Sequence, residues 1–155
     1  MRSLVRTTLT FLAVFVSLVT LTTAAHAAGG LRGGLSSGPD QVLFGAQLEF
    51  SPIAKNLYIV PSAEAGFGDD LFTLHFNGDL QYRFSVDGGV RPYAGGGVSI
   101  VYADPDGGGD SNTDIGVNAL GGIYFGKSTP MFVQLDLGLT DEVPDLKAVF
   151  GINFF

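Results

Sequence analysis

Three groups of residues have the types and spacing to do chemistry. Asp104, Asp106, Asp110 and Asp114 lie in a stretch rich in Gly, Ser and Asn, at spacings that resemble a calcium loop. The stretch lacks the third acid and the closing Glu of an EF-hand, so the expectation is weak divalent-cation binding by a solvated loop. Residues 121–128 read G-G-I-Y-F-G-K-S, a formal match to the phosphate-binding G-x-x-x-x-G-K-[ST] pattern. That pattern works only where a flexible loop opens into a helix, whereas Ile123, Tyr124 and Phe125 favour a strand and Thr129-Pro130 leads into another. Nucleotide binding is therefore rejected. His75, Ser62 and Glu64 together hold the parts of a hydrolase, but no spacing among them specifies a triad, and a hydrogen-bonded structural role is the reading for His75. The sequence has no Cys, which removes thiol nucleophiles, disulfides, iron-sulfur clusters and cysteine zinc sites at once. No cofactor is called for.

The elements that must position these residues begin after a distinct amino-terminal segment. Residues 1–27 have a basic start (Arg2, Arg6), an apolar run from Leu9 to Leu21 and a small-residue end, Ala25-His26-Ala27. This is the pattern of a cleaved secretory signal, and the apolar run is short for a spanning helix. The expected mature domain is 28–155. It keeps all 23 Gly and all 15 acids of the chain, whose net charge of -7 argues against a nucleic-acid partner.

Strict alternation of apolar and polar residues recurs along that domain. Phe72, Leu74, Phe76, Gly78, Leu80, Tyr82 and Phe84 form one face against Thr73, His75, Asn77, Asp79, Gln81 and Arg83. A strand places those sets on opposite sides. The same pattern over 131–140 and 44–51, with weaker versions over 30–37, 57–68, 90–102, 114–126 and 147–155, gives eight strands separated by turn residues. Pro61 and Pro92 fall inside two of them and each predicts a bulge or a strand start.

The polar face carries Arg32, Glu49, Glu64, His75, Asp79, Arg83, Arg91, Asp136 and Lys147, diluted by Gly45, Gly66, Gly95, Gly97, Gly122 and Gly151. Balanced charges among glycines suit a cramped closed interior, with the apolar face turned to lipid. A soluble lipocalin-like barrel would instead turn the apolar face of 72–84 inward, and a soluble sandwich would leave the polar face in water. Aromatics bracket the strands, with Phe50, Phe84, Phe125 and Phe154 toward one end and Phe67, Phe72 and Tyr102 toward the other, as interfacial girdles do. Charges sort by the parity of the connections. Odd connections hold Asp40, Asp69, Asp70, Asp104, Asp106, Asp110, Asp114, Asp141, Glu142 and Asp145 with no base, and even ones hold Lys55, Asp87 and Lys127.

Two segments carry a family resemblance: Arg91-Pro92-Tyr93-Ala94-Gly95-Gly96-Gly97-Val98, and the terminal strand Lys147 to Phe155, which ends in an aromatic. The whole of 28–155 resembles the small eight-stranded outer-membrane β-barrel proteins of the OmpA/OmpX/Ail-like superfamily. The resemblance implies an all-β, antiparallel up-and-down transmembrane barrel in the cell outer membrane. It also implies outer-membrane lipid and the barrel-assembly machinery, engaged through the C-terminal strand, as partners. A non-enzymatic structural or adhesion role is the expectation, with divalent cations or a surface partner at the acidic loops. A lipid-modifying hydrolase and a soluble periplasmic binding barrel are the alternatives.

Overall fold

The computed structural model describes residues 27–154, so all but the last residue of the expected secretion signal, and Phe155, lie outside the described residues. Eight strands follow in chain order: β1 (Ala27–Ser37), β2 (Gln41–Phe50), β3 (Leu57–Gly68), β4 (Leu71–Arg83), β5 (Val90–Pro105), β6 (Asn112–Phe125), β7 (Met131–Gly138) and β8 (Leu146–Asn153). Each pairs antiparallel with its neighbours in sequence, and β1 pairs with β8, so the sheet closes into a barrel. Closure leaves no strand edge along the sheet, which a spanning structure requires because lipid offers no partners to backbone N–H and C=O groups.

Turn chemistry explains where the strands reverse. Asp69 and Asp70 both have positive φ and sit between the paired residues Gly68 and Leu71, the geometry of a tight hairpin whose twist matches its strands. The β5–β6 ribbon is longest, with Ala103 paired to Asn112, so Asp104 and Asp114 belong to strand ends and not to an extended loop.

Pro61 makes neither a bulge nor a strand start. Its pairing to β4 runs unbroken opposite Gly78, while the β2–β3 ladder stops one residue earlier at Gln47 and Ser62, so the missing donor falls where no partner asks for it. Pro92 lies two residues into β5, near its start as expected, and its carbonyl accepts from the Phe84 amide at 2.9 Å.

The alternation resolves in one direction. His75 and Asp79 are 1% and 2% exposed, whereas Phe76 and Leu80 on the same strand are 42% and 43% exposed. The apolar face points out all round, with Leu31, Phe44, Val98, Ile115, Leu135 and Phe150 at its surface. Both the lipocalin-like and the sandwich alternatives fail on this observation.

Candidate functional site: the polar interior

Glu64 lies at the centre of the interior. Its Oε1 is 2.7 Å from Arg32 Nε, its Oε2 is 2.7 Å from Lys147 Nζ, and Lys147 reaches Asp136 Oδ2 at 3.2 Å. β1, β3, β7 and β8 each supply one member, because Arg32, Glu64, Asp136 and Lys147 all have the inward parity of their strands. Buried ions cost several kcal/mol each to desolvate, and this arrangement offsets that cost by giving one carboxylate two cations.

The cluster continues as a closed circuit of polar contacts. Arg32 donates to Gln47 Oε1 (3.3 Å), Gln47 to Asn153 Oδ1 (3.1 Å), and Asn153 to Glu49 Oε2 (3.1 Å). Arg83 grips Glu49 with two parallel bonds of 2.7 and 2.8 Å and also donates to Gln81 Oε1. Gln81 donates to Gln134 Oε1, Gln134 to Asp136 Oδ1 (2.7 Å), and Asp136 returns to Lys147.

Toward the even turns the interior is filled by rings. The Arg83 guanidinium lies 3.9 Å from the centre of Tyr58 and 4.2 Å from that of Tyr124, and Tyr124 packs in turn on Tyr93 and Phe132 at 5.0 and 5.4 Å. A cation desolvated between two aromatic faces gains roughly 2 kcal/mol or more from their quadrupoles. These four aromatics have the inward parity of their strands, so alternation alone marks them, though only the register shows that they meet at one level. Glycines make the room. A Cβ on Gly122 would stand 2.5 Å from the Tyr93 hydroxyl, and one on Gly151 would collide with the Phe132 ring.

Toward the odd loops the filling changes to hydroxyls and amides. Thr73 donates to Gln41 Oε1 at 2.7 Å, His75 Nε2 lies 2.9 Å from Thr73 Oγ1, and Ser99 donates to Asn77 Oδ1 at 2.7 Å. Val143, from the β7–β8 connection, is buried at that mouth, and a Cβ on Gly116 would meet it at 2.6 Å.

Each residue singled out in the sequence has a definite place. Glu64 and His75 are direct cross-strand partners, and Ser62 is two pairs along from them, the next position on the same face. All three face the sealed interior, where Ser62 accepts from Asn77 at 3.0 Å and Glu64 serves its two cations. Gly121 to Phe125 form the end of β6, and no helix follows Ser128, which removes the phosphate-loop pattern. Asp106 and Asp110 occupy the β5–β6 tip, with Asp104 and Asp114 on the strands. Among the described residues no three His, Cys, Asp or Glu side chains gather closely enough to hold a metal.

Arg91 departs from expectation. It has inward parity but is exposed, because the β4–β5 ladder ends at Arg83 and Tyr93 and leaves Arg91 beyond the rim. The interior therefore holds four acids (Glu49, Glu64, Asp79, Asp136) against three bases (Arg32, Arg83, Lys147), and the expected balance of four against four does not hold. Asp79 is the acid with no ion pair among the described residues; Gln134 Nε2 approaches it at 3.4 Å.

An apolar outside, a charged inside occupied by buried side chains and a closed eight-stranded sheet are the inverse of a soluble barrel. This is the outer-membrane β-barrel fold. Solved structures agree. The barrel is similar to the N-terminal β-barrel domain of Pseudomonas aeruginosa OprF, with a TM-score of 0.66 at 16% identity, covering 83% of this chain and 95% of that one. It is also similar to Neisserial surface protein A (TM-score 0.59, 16% identity, 82% and 92% covered) and to Ail of Yersinia pestis (TM-score 0.51, 12% identity, 82% and 93% covered). No family model and no curated protein matches the sequence.

Proposed function

We propose that the chain is an integral outer-membrane barrel with a structural or surface-interaction role and no catalytic activity, exported by a signal at residues 1–27 that is cleaved before Ala28. The observation that carries this reading is the inverted polarity of the wall, with apolar side chains outward and a complete polar circuit inside. The small eight-stranded barrel, with bulky side chains such as Tyr124, Phe132 and Gln134 buried inside it, argues against a general porin. In this reading the odd connections face the outside of the cell, β8 presents the terminal strand to the barrel-assembly machinery, and lipid surrounds the apolar belt. Ail, whose fold is similar, has been solved in a phospholipid bilayer nanodisc, which supports the lipid assignment. The test is heat-modifiable migration of the protein extracted by detergent from an outer-membrane fraction. Recovery as a soluble protein after osmotic release would overturn it.

The non-enzymatic part rests on His75, Ser62 and Glu64 being used up in interior contacts away from lipid. Wild type is expected to leave lipid A acylated; deacylation that disappears in His75→Ala would overturn this part. Asp104, Asp106, Asp110 and Asp114, with the six other acids of the loop rim, offer a divalent cation a negative field in place of a coordinating cage, so binding is expected only at millimolar calcium. Calorimetry showing no heat at that concentration removes the cation assignment.

A further inference from the structure

The rim opposite the acidic loops carries Lys55, Arg91 and Lys127, all exposed, and none of the three side chains makes an ion pair or hydrogen bond among the described residues. Asp87 is the single acid in these turns. The cations do not stand alone. Val90 and Arg91 pair with Phe125 and Tyr124, and Lys127 follows Phe125 by two residues, so Arg91 and Lys127 bracket a girdle aromatic. Lys55 follows Ile53 in its turn, and Ile53, Phe84, Val86 and Val90 are all exposed apolar residues at this end.

From this placement we infer that the even-turn rim is a docking surface for anionic phospholipid headgroups of the leaflet it faces. Chemistry limits the occupant. Exposed apolar side chains at the level of the cations call for acyl chain beside them, and unpaired ammonium and guanidinium groups call for phosphate one headgroup further out. A soluble anionic polymer such as a peptidoglycan strand satisfies the cations and leaves the apolar skirt in water. The opposite rim, with ten acids and no base, has the sign that repels such lipids, so the preference is confined to one leaflet. This inference rests on the outer-membrane reading for its orientation and surroundings.

The test uses the full mature barrel in mixed micelles holding equal phosphatidylglycerol and phosphatidylcholine, with bound lipid counted by native mass spectrometry. Wild type is expected to retain phosphatidylglycerol preferentially, each cation contributing roughly fivefold. The triple variant Lys55→Gln, Arg91→Gln, Lys127→Gln is expected to lose the preference while keeping heat-modifiable migration. Asp106→Asn with Asp110→Asn is expected to keep it. In wild type the preference should also collapse in 0.5 M salt, as exposed charges are screened at about 3–10 Å over this range, a measurement independent of whether the triple variant folds.

Equal retention of the two lipids by wild type, or a preference that survives the triple substitution, overturns the proposal. So does displacement of the lipid by free glycerol phosphate, which would mark a phosphate site, or co-sedimentation with peptidoglycan in place of lipid preference. A wild-type chain that forms no heat-modifiable barrel defeats the outer-membrane reading itself, whereas an inserted barrel without lipid preference defeats only this inference.

Discussion

The two halves of the interior solve the same filling problem with different materials. At the turn end, Arg83 is clamped between Tyr58 and Tyr124, with Tyr93 and Phe132 behind them, so large flat groups exclude water by volume. At the loop end, Gln41, Thr73 and His75 bond to one another, as do Asn77 and Ser99, and Leu43, Val101 and Val143 are also buried. Ring packing depends on shape and tolerates little change in volume, whereas a hydroxyl-amide network depends on donors meeting acceptors and yields in smaller steps. The difference predicts where a substitution hurts.

The largest effect is expected where the halves meet. Glu64→Ala leaves Arg32 and Lys147 buried without their shared carboxylate, and urea unfolding of the barrel in lipid vesicles should show a loss of about 3–5 kcal/mol. Tyr124→Ala at the turn end opens a cavity beside Arg83 and should cost about 3 kcal/mol in the same assay, more than any single truncation among the loop-end hydroxyls. Gly122→Val drives a side chain into the Tyr93 hydroxyl, and a cost of about 1–3 kcal/mol is expected from overpacking. Thr73→Val keeps the shape at the loop end and removes one donor to Gln41; unfolding should shift by about 1 kcal/mol. If Thr73→Val equals or exceeds Tyr124→Ala, the two halves do not differ in the way described.

Alternation along β4 and β7 was enough to say which side chains face in, and the parity of connections was enough to place ten acids at one end. Parity says nothing about height along the axis. That is why Tyr58, Tyr93, Tyr124 and Phe132 were not legible as one cluster, and why Arg91 read as an interior base. Height is set by register, and register depends on turn lengths and on where each ladder stops. Pro61 illustrates the same point: its missing donor is harmless because β2 has already parted from β3 at that level. Val143 was hidden for a different reason, since it belongs to a connection and reaches the interior by folding back over the mouth.

The polar circuit also bears on how the barrel is assembled. Arg32 belongs to the first strand and Lys147 to the last, yet both depend on Glu64 of the third. Until β1 meets β8, Glu64 has at most one of its two cations, and a half-zipped sheet would carry bare charges against hydrocarbon. Pairing β1 with β8 gives Glu64 its second cation and so removes the cost of an unpaired buried charge. The seam between the first and last strands is thereby also the joint on which the interior charge network depends.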